Sequence, residues 1–466
     1  MKVSNNVLQQ YQSTSIHKNL SIFFPELELE LNNSQIYEES MYLHESIFEK
    51  RSIEFVGCIS SIFMVDINGL KADIKGKRII VTISTDDTQD EPVTLFNGIV
   101  DSAVKQSNKQ IKEIVAYDEL YTKGNTEVAA WYKSLTFPIS LKDLRYSLFS
   151  FIGLEQEEKS LPNDDIVIKK QYAPNTLQAL SVIKAICQIN GAFGIMNRRG
   201  KFEYRILGKM DSYRGAYPGS LLFPGPNTFP GVRAATTGTD LAQTSFTFYK
   251  SVRYEEFEVR PVDKVTIRQS EEDEGVTFGD GENNYIIQGN MFSYGLADSV
   301  LKTVAENVYN SVQGFSYYPY TADNNGLPFV ECGLDMVTYM MIDYEATFSD
   351  ENTSGNVIYE KKSFPVLNRT LSGIQALRDK YSADGEEYQT EFITDLQTQI
   401  DILKKKQSSG GVSRQEMENY GYSRDEIDDM LGAGSGGGNE HLSVDTVPVN
   451  QEPNVVYFIQ GVVVVE

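Results

Sequence analysis

Residues 21 to 121 repeat apolar and polar side chains with a period of two, and that period commits the stretch to half-buried β-strands. Leu27, Leu29 and Leu31 alternate with glutamates; Ile53 and Phe55 follow, then Ile59, Phe63, Val65 and Ile67. Residues 78 to 85 are rich in β-branched side chains, and 95 to 104 and 111 to 117 complete the set. Gly69, Gly76 and Gly98 punctuate the runs. Several short strands in so short a span predict a small barrel or sandwich.

The pattern changes near Phe137. Ser140 is placed to N-cap a helix in which Leu141, Leu144, Leu148, Phe151 and Ile152 share a face, with Gly153 to end it. A second helix is expected over 174 to 190, with Pro174 in its first turn, a stripe of Leu180, Ile183, Ile186 and Cys187, and Gly191 as terminator. Residues 192 to 207 alternate across a turn at 197 to 200, giving helix, helix, hairpin. The Gly/Pro-rich stretch 208 to 251 has loop chemistry, and Tyr217, Phe223, Phe229 and Phe246 suit it to a subunit contact. Strands resume at 256 to 269 and 285 to 288, around a turn at Asp280-Gly281. Leu296, Val300, Leu301, Val304, Ala305, Val308 and Val312 then mark a helix over 296 to 313, stopped by Gly314. Further strands at 329 to 331, 336 to 342 and 356 to 360 close this second β block.

The domain plan is therefore an N-terminal arm (1–20), a first β domain (21–137), an α+β domain (138–207), the loop region (208–251) and a second β domain (252–385). A helix at 386–407 and a flexible tail at 408–466 follow. In that helix Ile393, Leu396, Ile400 and Leu403 are spaced 3, 4 and 3, the seam of a short coiled coil and the candidate oligomerisation residues. The same spacing also suits a helix packed on its own domain. In the tail GAGSGGGNE is linker chemistry, and the apolar VVYFIQGVVVVE needs a strand partner.

The net charge of -23 argues against a grip on nucleic acid or anionic membranes, although acidity also serves solubility alone. Cys58, Cys187 and Cys332 are odd in number and far apart, which reads as buried free thiols in a reducing compartment. No apolar run reaches the length of a membrane span and the N-terminus lacks a signal core, so synthesis and folding in the cytoplasm are expected.

No constellation for chemistry emerges. No GxSxG surrounds a serine, and His17, His44 and His441 fall in the arm, a β segment and the tail. Zinc spacing, GxxxxGK[ST] and GxGxxG are all missing. Asp350, Asn352, Ser354 and Gly355 match the first half of a calcium loop, but Lys361 stands where the closing Glu belongs, which favours a β-hairpin loop. Among 65 Asp and Glu no catalytic pair can be singled out. The expectation is no catalytic, cofactor-binding or metal-binding residue and no cofactor.

Read in order, several stretches resemble the hub proteins of phage tail tips and baseplates, including the structural N-terminal part of tail-associated lysins and the contractile-phage baseplate hub. They are SIEFVGCISSIFMVDI (52–67), LFNGIVDSAVKQ (95–106), IVAYDELY (114–121) and LQALSVIKAICQINGAFGIMNRRGKFEYRIL (177–207). YIIQGNMF (285–292), GLPFVECGLDMVTY (326–339) and RTLSGIQALRDKYSADG (369–385) complete them. The resemblance implies a β-rich α+β chain whose two β domains are tube-like barrels, with the α+β domain between them. It implies a homotrimer, a pseudo-hexameric ring joining the tail tube or distal tail protein ring to a spike, tip or fibre protein, with the tape-measure protein as a further partner. DNA would pass through the lumen without specific binding. The chain would be a non-enzymatic virion component made in the bacterial host cytoplasm. Many relatives continue into a wall-degrading domain, whereas 386–466 has no hydrolase signature. The hub of a prophage-derived contractile particle (a tailocin) is the nearest alternative; a cell-wall hydrolase or a host-glycan adhesin would be of another class.

Overall fold

In the computed structural model, residues 3–12, 16–47, 57–107, 110–169, 176–207, 243–246, 249–269, 273–349, 352–387, 440–443, 455–459 and 462–463 are described. Most of the loop region, the heptad residues Ile393, Leu396, Ile400 and Leu403, and the Gly-rich linker lie outside them. The chain divides into one unit of 1–170 with 176–398 and a second of 171–175 with 399–466.

The first block opens with helix α1 (Asn5–Gln12), where a loose arm was expected; Val7 and Tyr11 give it a buried side. Strands β1 (Lys18–Phe24), β2 (Leu29–Leu31), β3 (Tyr42–Ser46), β4 (Ile62–Asn68), β5 (Arg78–Thr85), β6 (Val93–Lys105) and β7 (Ile111–Tyr117) follow. The pleat turns alternate side chains inward, so Phe63, Val65 and Ile67 of β4 and Ile79, Val81 and Ile83 of β5 are buried. Gly98 allows β6 its close approach to β7: a Cβ there would sit 2.3 Å from the Tyr117 carbonyl oxygen.

The α+β layer holds α2 (Glu119–Gly124), α3 (Ala129–Ser134), the short pair β8 (Ile139–Ser140) and β9 (Val167–Ile168), α4 (Leu141–Ile152), α5 (Ala179–Asn190) and the hairpin β10 (Phe193–Met196) with β11 (Phe202–Arg205). Ser140 caps α4 as expected, its Oγ accepting from the Asp143 N–H at 3.0 Å. Gly153 and Gly191 end α4 and α5 in the left-handed region, at φ of 64° and 60°. On α4 the buried face is wider than the expected stripe and rotated from it. Phe149 and Arg145 are buried, while Phe151 is 51% exposed.

The second block contains β12 (Gln243–Phe246), β13 (Tyr249–Tyr254), β14 (Lys264–Arg268), β15 (Val276–Gly279), β16 (Asn284–Gln288), α6 (Asp298–Val312), β17 (Tyr320–Asn325), β18 (Met336–Ser349), β19 (Asn352–Pro365), β20 (Asn368–Ser372) and β21 (Arg378–Ala383). Helix α6 packs on β14 and β15 through Leu301, Val304, Ala305 and Val308, and Val300 faces out. Its far end meets α5, where a Cβ on Gly191 would lie 2.9 Å from Val312.

Both blocks contribute to one eleven-stranded sheet in the order β13-β17-β21-β20-β3-β4-β7-β6-β5-β1-β2. Every neighbouring pair in it is antiparallel. The blocks join where β20 pairs with β3, with Leu371 opposite Leu43. The chain is thus a β-rich α+β protein with a large antiparallel sheet and few helices.

The second unit contributes β22 (Glu440–Ser443), β23 (Val455–Ile459) and β24 (Val462–Val463). Strand β23 runs parallel to β22 and antiparallel to β24, so the apolar C-terminal stretch has strand partners in its own unit.

Candidate assembly elements

The junction between the blocks is cemented by charge as well as by the strand ladder. Alternation along β20 places Arg369 on the buried face of Leu371. Its Nε donates to Asp379 on β21 at 3.0 Å, its Nη1 to Glu45 on β3 at 3.0 Å, and its Nη2 to the Leu327 carbonyl at 3.0 Å. Burial opposes the charge on Arg369, but Asp379 and Glu45 outweigh it and raise the guanidinium pKa. The Tyr381 hydroxyl donates to Asp379 at 2.7 Å.

Glu45 also meets Arg198, whose Nη2 lies 3.4 Å away. Arg198 comes from the β10–β11 turn and reaches the second block, donating to the carbonyl oxygens of Val330 at 2.6 Å and of Pro328. It also donates to the Thr94 carbonyl on β6 at 3.3 Å. Burial works against ionisation of Glu331, but nearby positive charge, Arg198 foremost, holds that carboxyl down at about 2. Three regions far apart in sequence are therefore pinned by two buried arginines. A separate pair, Arg145 with Asp164, secures α4 to the loop ahead of β9 through bonds of 2.8 Å. None of these arginines was singled out from the sequence. The available signal was position: Arg369 stands two residues before Leu371 on a strand, and Arg145 falls next to Leu144 on the apolar side of α4.

The second element is the β18–β19 hairpin, which pairs residue for residue from Met336 opposite Pro365 to Ser349 opposite Asn352. Strand β12 runs parallel to β18 only over Met336–Tyr339. Beyond that, from Met340 and back to Lys361, each strand has only the other as ladder partner among the described residues. The base is packed by aromatic rings: Tyr320 stacks on Phe364 at 4.5 Å, and Tyr249 meets Tyr339 edge-on at 5.2 Å. The calcium-like stretch belongs to a hairpin, but Asn352, Ser354 and Gly355 lie in strand β19 and not in the loop expected for them. Asp350 lies outside the described residues.

Titratable groups with shifted pKa values serve as backbone clamps. Burial pushes Asp118 up to about 7, against backbone N–H donors that favour its charged form. Those donors are Ser61 at 2.6 Å and Leu120 at 3.0 Å, so the side chain ties the start of β4 to the start of α2. Burial likewise pushes Asp335 up to about 6, and it accepts from the Glu331 N–H at 2.7 Å. His44 bonds to Thr370 across the β3–β20 junction at 3.3 Å, and the exposed His17 meets Asp86 at 3.1 Å. Among the described residues no group of His, Cys, Asp and Glu is arranged to hold a metal ion, and no helix is long and apolar enough to cross a membrane. The contacts of Arg369 and Arg198 are internal and serve cohesion.

No family model matches the chain, and no curated protein matches it. Solved structures do. A tail protein from Neisseria meningitidis MC58 is 10% identical, with a TM-score of 0.42, covering 80% of this chain and 98% of that one. The 43 kDa tail protein of prophage MuSo2 from Shewanella oneidensis is 9% identical, with a TM-score of 0.44, covering 79% and 98%. The prophage tail protein gp18 from Listeria monocytogenes EGD-e is 11% identical, with a TM-score of 0.42, covering 83% and 99%.

Proposed function

We propose that this chain is the structural hub of a phage tail tip or baseplate. Three copies form a ring in which each contributes two tube-like β domains, so that a threefold assembly presents pseudo-sixfold symmetry. The ring joins the tail tube, or a distal tail protein ring, to a spike, tip or fibre protein, and the genome passes through it. The protein acts by assembly and carries out no reaction of its own.

The observation that carries this reading is the β3–β20 pairing. It sets two β blocks side by side in one antiparallel sheet, although Ser46 and Asn368 are 322 residues apart. A tube wall needs this continuity, because an open seam between the blocks would leave unpaired strand edges in every subunit. The ordered resemblance over 52–385 points the same way. The net charge of -23 then has a use: carboxylates lining a lumen repel phosphates and let DNA slide.

Light scattering on the purified chain tests the reading. A particle of three times the 52.4 kDa chain mass, seen as a threefold ring by electron microscopy, is expected. A chain that remains monomeric alone and with its tube protein, or a ring with a net basic inner wall, overturns it.

A further inference from the structure

Two of the three cysteines, far apart in sequence, meet in the fold. The Sγ atoms of Cys58 and Cys187 are 3.6 Å apart, with 129 residues between their positions in the chain. Both are buried, Cys58 at 3% exposure and Cys187 at 0%. Cys58 belongs to the segment that leads into β4; it bridges to Gly194, whose N–H donates to the Gly57 carbonyl at 2.9 Å. Cys187 sits in the last turn of α5. Gly194 leaves the room in which they face each other, since a Cβ there would come 2.7 Å from the Cys58 Sγ. A disulfide needs the two sulfurs at about 2.05 Å, so a closure of about 1.5 Å completes the bond.

We propose that Cys58 and Cys187 are an oxidisable pair that forms an internal disulfide when the folded chain meets a small peroxide, cross-linking the first β block to the α+β layer. The Cys58 thiol reacts first, being the less buried. It takes one oxygen from hydrogen peroxide to become a sulfenic acid, and one water leaves. The Cys187 thiol attacks that sulfur, the S–S bond forms, and the hydroxyl departs as a second water. Two thiols lose two electrons and two protons, and the peroxide is reduced to two waters. Burial pushes the Cys187 thiol up, which leaves it the second thiol to act. Cys332 has a different station: its Sγ donates to the Leu367 carbonyl at 2.7 Å, and it stays reduced.

The chemistry stands on this geometry alone. Its use rests on the tail reading, because a virion component leaves a reducing cytoplasm for an oxidising exterior, where the bond would persist.

The test treats the full-length folded chain with hydrogen peroxide, quenches, denatures without reductant, alkylates and weighs the protein. A loss of about 2 Da with a single alkylated thiol at Cys332, a 58–187 cross-linked peptide, and recovery of all three thiols on reduction are expected. Closing so long a loop should raise the unfolding midpoint by about 5 °C over the reduced wild type, a rise missing in Cys187→Ser. Three alkylatable thiols after oxidation, sulfinic or sulfonic products at either position, or pairing through Cys332 overturn the proposal. None of these readouts depends on whether the chain is a trimer.

Discussion

Replacing Arg369 with methionine removes the one cation among the described residues that touches both Glu45 and Asp379. The methionine fills much of the volume, so the loss is mainly electrostatic. Glu45 keeps Arg198 at 3.4 Å. Asp379 keeps only neutral donors, the Tyr381 hydroxyl at 2.7 Å and the Leu327 N–H at 3.3 Å. Burial already pushes Asp379 up while Arg369 opposes it, so without the arginine the carboxyl takes a proton. Protonating an aspartate of ordinary pKa at pH 7 costs about 4 kcal/mol, which agrees with the roughly 3–5 kcal/mol for breaking a buried ion pair. In a chain of 466 residues that corresponds to a fall of about 4 °C in the unfolding midpoint. Circular dichroism melts at pH 7 and pH 4 provide the assay. The deficit should shrink at pH 4, where unfolded aspartates are already about half protonated, and Arg369→Met with Asp379→Asn should recover at least half of it at pH 7. A loss below about 1 kcal/mol, or one equal at both pH values, would refute the cost of stranding a buried carboxylate as the reason the junction holds.

Two further perturbations follow from the same geometry. Asp118 is raised to about 7 in the fold, so the native chain binds the extra proton and this residue's contribution to stability falls as pH rises from about 4 to 7; Asp118→Asn should flatten that decline in melts across the range, and an unchanged slope would contradict it. Truncation after Glu387, which spares the Glu387 carbonyl that accepts from the Arg260 N–H, should leave the proposed ring intact by light scattering while the proposed distal attachment is lost; collapse of the ring would assign assembly to the tail.

What the sequence made legible was local. Alternation identified β4, β5 and β7, and the capping residues Ser140, Gly153 and Gly191 marked helix ends, because each signal is written within a few neighbouring residues. Helix α1 was missed because only Val7 and Tyr11 of its otherwise polar turns are buried. Strand β17, YTADNN, alternates Tyr320, Ala322 and Asn324 inward, and a buried asparagine hides the pattern. The length of β18 and β19 was underestimated, since Asn352 to Gly355 have turn chemistry yet continue the ladder. The β3–β20 junction had no local signature. It depends on Arg369, Glu45 and Asp379 finding one another across the chain, and a charged residue on an inward strand position is the only trace each leaves.

The heptad residues Ile393, Leu396, Ile400 and Leu403 make a weak motor for a ring on energetic grounds. Two heptads are shorter than an isolated helix needs to be stable in water, and a coiled coil of that length adds little. A ring of the proposed kind must then draw its contacts from the body. The eleven-stranded sheet has two terminal strands, β2 and β13. Strand β2 is only three residues long, follows Glu28 in the left-handed region at φ 48°, and presents the exposed Glu30, features that blunt an edge. Strand β13 is twice that length, but the exposed Lys250 and Arg253 and its bulge between Tyr249 and Ser251 blunt this edge as well. Of the two, β13 is the longer, and its base adjoins the Tyr249–Tyr339 and Tyr320–Phe364 ring contacts that root the β18–β19 hairpin. In the proposed hub, the body rather than the heptads would close the ring, and the heptads would gather three chains on their way to the tip.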